Sequence, residues 1–436
     1  MTPPGGPAAA GPARKLLLPG SRPAAAGRAG ARCAVSGLDA RCRGAAVVRG
    51  VSLSDILERG RNNFDLVRLV AAASVIVGHS FIIVSGRLDA EPLAGVSSFT
   101  LGQHAVNVFF VLSGLLVAAS LERSPGLVAF MAGRALRVFP GLAVCVLLLG
   151  LAMGPLVTSL DPLSYLASPQ TLHYLAATLS LATGHASLPG VFETLPAAGW
   201  VDVSLWTLKY EMMCYLALAL LSALGLWVRP KLLWVGLAVL IGIEIARLWR
   251  LHVDEFGVFD QVLRFLTCFF VGAGAYRLRD RLRLSPAGAA LAVAALALSW
   301  GTRLEPLVAY VAIGYLALCF SALPLGPMRR LCGRGDLSYG LYIYGWPVGQ
   351  LLLLSAPGLG PVGLAGASLA VTLPLAALSW ALVEKPALAL KRRLRPKPAM
   401  PCARRSPVPA ILPGAVLPGA VLPLTGERDG NYCPRP

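Results

Sequence analysis

The chain has 436 residues, 56% hydrophobic and 14% charged, with a mean hydropathy of +0.68. A soluble domain carries about a quarter charged residues, so the ordinary cytosolic and secreted enzyme classes are excluded and the length reads as one membrane bundle. The net charge of +18 sits mainly at the ends, +7 in residues 1–50 and +7 in residues 391–436. A nucleic-acid binder would gather such charge on a folded face beside base- or groove-reading motifs; none occurs, and no nucleic-acid partner is expected.

Residues 1–50 are rich in Ala, Gly, Pro and Arg, with no apolar run long enough for a signal-peptide core. They read as a low-complexity, disordered extension. Residues 51–390 then hold ten uncharged windows of the length a membrane requires, about 17 to 25 residues per helix: roughly 66–86, 102–121, 138–158, 207–228, 232–249, 260–276, 285–301, 306–323, 337–355 and 362–383. The fold expected is an all-α polytopic membrane protein of about ten transmembrane helices. The segment 159–203 contains LHYLAATLSLATG, too short for a span, and reads as an outer-side interfacial or re-entrant piece. From 391 to 436 the chain is basic and rich in Pro and Gly, a disordered cytoplasmic tail. Nine cysteines without CxxC spacing indicate neither a zinc site nor a disulfide framework.

Orientation follows from the loops. With a cytoplasmic N-terminus, 17 Lys and Arg fall in cytoplasmic connections, among them Arg134 and Arg137, and four, Arg87, Arg247, Arg250 and Arg303, in the opposite ones. That asymmetry predicts both termini inside.

Ionisable groups within apolar helices are costly and are functional candidates by default. The first helix holds Arg68 and His79, eleven positions apart. Eleven steps of about 100° end about 20° past three full turns, with about 16.5 Å of rise, so the two share one face, Arg68 near the cytoplasmic mouth and His79 beyond mid-membrane. Such a stripe suits an anionic donor whose phosphate is held by Arg and whose reactive end meets a His acting as general base; both could instead be hydrogen-bonded within the bundle. Arg134 and Arg137, three apart in a cytoplasmic loop, could grip phosphates or serve topology alone. Glu211, at the outer start of the fourth helix beside Lys209 and Tyr210, could orient a His or form an interfacial salt bridge. Ser113 and Gly114 read as a close-packing pair, Glu384 as the partner of a neighbouring cation, and Glu244 with Arg247 as an intrahelical pair. His104, His173, His185 and His252 fall in outer segments without metal-ligand spacing, so no metal is expected. Trp200, Trp227, Trp300 and Trp346 read as interfacial anchors.

Six phrases in order, FDLVRLVAAASVIVGH, NVFFVLSGLL, RALRVFP, SLWTLKYEMMCYL, LSYGLYIYGWPV and ALVEKP, spread from Asn63 to Pro386, resemble the successive signatures of the integral-membrane acyltransferase-3 family. That family includes O-antigen, exopolysaccharide and Nod-factor acetylases. The resemblance implies a ten-helix enzyme of the bacterial inner membrane. It takes an acyl group, commonly acetyl, from cytoplasmic acyl-CoA, a donor substrate rather than a bound cofactor, and passes it to a hydroxyl of a glycan or lipid-linked saccharide. The family's essential Arg and His of the first helix correspond to Arg68 and His79, its Arg-x-x-Arg pair to Arg134 and Arg137, and its Glu after Trp-Ser-Leu to Glu211, with Thr207 where Ser is usual. The His of its Tyr-x-x-His-Trp-Pro phrase is here Gly345. The expected catalytic residues are thus His79, Arg68 and Glu211, with Arg134 and Arg137 binding the donor. A secondary transporter or glycan flippase is the competing class, since ten helices with buried charges would serve transport too; no internal repeat supports it. A scaffold would not bear the cost of burying these groups.

Overall fold

The structure, a computed structural model, describes residues 50–59, 62–182, 187–250, 257–325 and 335–393. Both low-complexity ends, apart from residue 50 and residues 391–393, lie outside the described residues.

Helices make up nearly all of the regular secondary structure of the described residues. In order come α1 (Leu53–Arg59), α2 (Phe64–Ser85), α3 (Leu101–Glu122), α4 (Leu127–Leu147), the short α5 (Pro162–Ala167) and α6 (Pro169–Leu179), then α7 (Leu208–Ala223), α8 (Pro230–Arg250), α9 (Val258–Arg277), α10 (Pro286–Ser299), α11 (Glu305–Ser321), α12 (Ser338–Ser355), α13 (Pro361–Ser379) and α14 (Lys385–Arg393). A helix falls on every one of the ten expected windows, and six of the helices are long and apolar enough to cross a membrane. The one pairing of strands described, β1 (Val51–Ser52) antiparallel to β2 (Arg283–Leu284), docks the start of the described chain against the α9–α10 turn. In the 159–203 segment, α5 and α6 have six and eleven residues, short of a span, and Tyr165 anchors the segment by donating to the Gly150 carbonyl at 2.8 Å.

Local chemistry sets the ends. Thr100 and Gln103 form a reciprocal capping box at the start of α3, and Gly86 closes α2 in the left-handed region at φ 70°. Two π-helical stretches interrupt the bundle: Leu148–Met153 after α4 and Trp380–Glu384 between α13 and α14. Such bulges re-aim side chains, often at functional sites, and the second one presents Glu384 to α4.

Helix α3 is the centre of the bundle. Of its apolar window 72% is buried, against 17% for α8, so α3 packs on protein and α8 offers most of its surface to the surroundings. Gly114 and Gly272 let α3 and α9 approach backbone to backbone: a Cβ on either would stand 1.9 Å from a carbonyl oxygen of the other helix. The packing role expected of Gly114 is therefore met. Beside this contact Phe110 and Phe265 stack with centroids 4.2 Å apart.

One expectation is corrected. Arg134 and Arg137 do not lie in a loop before a helix starting near 138; α4 begins at Leu127, and both are inside it. An uncharged-window criterion truncates a helix at its first arginines, but these are compensated by carboxylates from elsewhere, and the helix continues through them.

Candidate active site

Helices α2, α3, α4, α7 and α12 enclose a chamber of about 140 Å³. Arg68, Arg134, Arg137 and Glu211 all line it, together with Ser113, Thr207, Tyr215, Tyr339 and Tyr342. Four of the five expected site residues therefore converge. The fifth, His79, is not among the lining residues.

The charges are arranged in layers. Arg137, on the third turn of α4, reaches Asp336 at 2.5 Å and Glu384 at 3.2 Å, and its guanidinium lies 5.4 Å from the centre of the Tyr339 ring. Arg68 pairs with the same Asp336 Oδ2. The other oxygen, Oδ1, accepts from the Ser338 hydroxyl at 2.5 Å and from its amide at 3.2 Å. Burial alone would raise the Asp336 carboxyl, but Arg137 and Arg68 outweigh it and hold it at about 2. Glu384 accepts from Ser379 at 3.2 Å, so the cation partner expected for it is Arg137. Buried charges paired and hydrogen-bonded in this way tie α2, α4, α12 and the π stretch after α13 together.

Arg134 differs. It lies about one turn nearer the start of α4, its guanidinium is 5.8 Å from the Tyr215 ring centre, and its buried Nε has no hydrogen-bond partner among the described residues. Across the chamber, the Tyr215 hydroxyl donates to Glu211, and Ser113 Oγ stands 3.3 Å from Tyr215 Oη and 3.5 Å from Glu211. Ser113, read from the sequence as a packing residue, is thus part of the polar lining. Glu211 is not at an outer interface; the 3₁₀ turn Ser204–Thr207 leads into α7 and brings it inside the chamber. Thr207 donates to the Ser204 carbonyl at 3.3 Å, which leaves Tyr342 as donor in the 2.7 Å Thr207–Tyr342 contact.

One turn beyond Tyr342 on α12, Trp346 is fully buried and meets the edge of the His79 ring, centroids 5.0 Å apart. Its Nε1 donates to the Trp200 carbonyl at 2.9 Å. Trp346 is therefore no interfacial anchor but the wall of the His79 compartment, and Trp227, 4% exposed beneath Arg277, is likewise buried. His79 Nδ1 is buried without a partner among the described residues. Arg68 meets Asp336 just before α12 and His79 meets Trp346 within it, as one shared face of α2 requires. At Gly345 a Cβ would stand 2.6 Å from Ile76 on α2, so this packing has no room for a histidine there.

Other ionisable residues singled out in the sequence lie elsewhere. Arg247 pairs with Glu244 at 2.8 Å and with Asp260 at 3.4 Å. His104 meets Ser97 at 3.1 Å, and that hydroxyl also donates to Glu305 at 2.6 Å. His173 is exposed on α6; His185 and His252 lie outside the described residues. Sequence reasoning missed Asp336, Tyr215 and Tyr342. A signal for the first existed: Asp336 is the one acidic residue between Glu305 and Glu384, and it directly precedes the LSYGLY phrase.

The family described as Acyltransferase domain matches this chain over residues 61–381, an interval that contains every residue of the chamber. The chain belongs to the acyltransferase-3 family. It is similar to Nodulation protein 10 of Rhizobium leguminosarum bv. viciae, with 32% identity over 368 residues that cover 77% of this chain and 95% of the relative. It is 31% identical over 337 residues to the O-acetyl transferase of Shigella phage Sf6, covering 74% and 95%. The exopolysaccharide production protein ExoZ of Rhizobium meliloti (strain 1021) is 27% identical over 328 residues, covering 68% and 93%. No solved structure matches the chain. This acyltransferase is accordingly an O-acyltransferase and a multi-pass membrane protein.

Proposed function

We propose that this acyltransferase moves an acetyl group from cytoplasmic acetyl-CoA to a hydroxyl of a cell-surface or exported glycan. The observation that carries the reading is the ladder along the α2 face. Arg134 with an unpartnered guanidinium nitrogen comes first, the Arg68–Asp336–Arg137 cluster next, and the Tyr342 turn of α12 leads from there to His79 against Trp346. The names of the O-acetyl transferase and exopolysaccharide relatives support an acetyl donor and a glycan acceptor.

In this reading the donor enters from the side where α4 begins. The chamber, about 140 Å³, takes the acyl-pantetheine end, with the phosphates at Arg134 and the neighbouring Arg68 and Arg137. His79 accepts the proton of the acceptor hydroxyl, the oxygen attacks the thioester carbonyl, the carbon–sulfur bond breaks, and the leaving thiolate takes up a proton. The Tyr342 hydroxyl, which donates to Thr207, lines the chamber on the way to His79. A route in which His79 carries the acyl group covalently uses the same residues in two steps. Glu211, held by Tyr215 and Ser113, supplies a fixed negative charge opposite Arg134.

The topology that accompanies this reading has ten spans in the inner membrane and both termini in the cytoplasm. It is supported by the 17-to-four loop asymmetry. Reporter fusions after Arg283 and Arg395 should then behave as cytoplasmic and a fusion after Leu304 as extracytoplasmic. For the activity itself, purified protein supplied with radiolabelled acetyl-CoA and glycan should transfer label to the glycan. Label that stays on the donor with every acceptor tried, in protein that binds no acetyl-CoA, would overturn the donor assignment.

A further inference from the structure

The cations around the chamber do not exceed the anions. Arg68, Arg134 and Arg137 face Glu211, Asp336 and Glu384, and Asp65, on the first turn of α2, adds a further carboxylate coupled to Arg68 and Arg137. A donor that brings several phosphate charges into so enclosed a place would meet no net positive charge, and an uncompensated buried charge costs several kcal/mol. Admission is therefore favoured if Glu211, Asp336 or Glu384 gives way.

They are not equally able to do so. Glu384 is 1% exposed, sits within a helical π stretch and is held by Arg137 and Ser379. Glu211 is within α7 and is held by Tyr215 and Ser113. Asp336 lies outside any helix, two residues before α12, with 14% of its side chain exposed. A single oxygen of it occupies both Arg68 and Arg137, as an oxygen of a phosphate group would. Its own backbone is free of the helix that would otherwise fix it, so rotation of one side chain toward solvent opens a position between Arg68 and Arg137, the latter still paired with Glu384.

We infer that Asp336 is an internal anion that competes with the phosphate groups of the donor for Arg68 and Arg137, and that donor binding displaces it. The inference rests on the acetyl-CoA reading above. It gives Asp336 a positioning role: in its paired place it keeps both guanidinium groups aimed at the chamber and cancels one of their two charges, and it sets the threshold charge a donor must carry to enter. A neutral thioester, which cannot exchange with the carboxylate, gains nothing from those arginines.

The sign of the expected effect is opposite to that of a purely structural ion pair. In purified protein, Asp336→Asn should bind acetyl-CoA more tightly than wild type, by about tenfold, the scale of one charge-assisted contact, and should bind acetyl-pantetheine, which lacks phosphate, no better than wild type does. Unchanged or weaker acetyl-CoA binding by folded Asp336→Asn would overturn the inference. Because that substitution removes a buried partner of two arginines and could unfold the protein, a second measurement uses the wild type: carbodiimide labelling of Asp336, read by peptide mass spectrometry, should rise when acetyl-CoA is added and not when acetyl-pantetheine is added. Labelling of Asp336 that is indifferent to acetyl-CoA, in protein shown to bind it, would also overturn displacement. If neither wild type nor variant binds acetyl-CoA by any readout, the donor assignment itself fails and this inference with it.

Discussion

At the Arg68 end of α2 two of the three chamber arginines meet carboxylates, whereas at the His79 end polar atoms are buried without partners. Among the described residues these include His79 Nδ1, Gln350 Oε1 and Ser368 Oγ. One helix thus joins a region of paired charges to one without them. Pairing fixes geometry, since Arg68 and Arg137 are each held by a charge-assisted contact. Unsatisfied buried polar groups cost free energy, and they persist where a substrate or water completes them. In the proposed mechanism the contrast separates binding from chemistry: anchoring groups at one end, and at the other the histidine assigned as base.

The largest effect should come from the unsatisfied end. His79→Ala should lower acetyl transfer by 10²- to 10⁴-fold, the scale of a lost general base, while exposed His173→Ala leaves the rate near wild type. Rates measured on detergent-extracted protein that runs as a single species decide this, and a near wild-type rate for folded His79→Ala would end its assignment as the base. The end of paired charges should respond in stability. Arg137→Ala leaves Glu384 buried without its cation, a loss of about 3 to 5 kcal/mol, visible as a lower thermal midpoint. Acid sharpens the same point. Asp336 is held at about 2 against an ordinary 3.8, so its contribution is fully present above about pH 4 and is lost as pH falls toward 2. The gap in melting temperature between wild type and Asp336→Asn should stay constant from neutral pH to about 4 and narrow below that.

The two ends were not equally legible in the sequence. Helix windows followed from the absence of charge, and Arg68 and His79 from spacing on one helix, because both signals are local. Partners were not legible, because Asp336 and Arg137 are 199 residues apart in the chain and no periodicity links them. The same distance hid the start of α4: a reading that penalises each arginine cannot know that Asp336 and Glu384 compensate it. Trp346 shows the complementary error. An aromatic residue placed by hydropathy alone defaults to the interface, but the chain at Trp200 folds over α12 and buries it. Gly345 was legible only as a missing histidine; its cause is steric and sits on another helix, at Ile76.

That steric cause gives a smaller prediction. Gly345→His should overpack the α2–α12 contact and cost about 1 to 3 kcal/mol, and pairing it with Ile76→Ala should return part of the loss. Melting temperatures of the two variants test this, and a Gly345→His protein as stable as wild type would mean that the His79 end is looser than the packing against Ile76 implies.

The separation of binding from chemistry is tested most directly by the equilibrium affinity for acetyl-CoA of folded Arg134→Ala and His79→Ala side by side. Loss of a charge-assisted contact should weaken donor binding by Arg134→Ala roughly tenfold to a hundredfold, and His79→Ala should bind the donor as wild type does while failing to transfer. Equal weakening in both variants, or undiminished binding by Arg134→Ala, would contradict it.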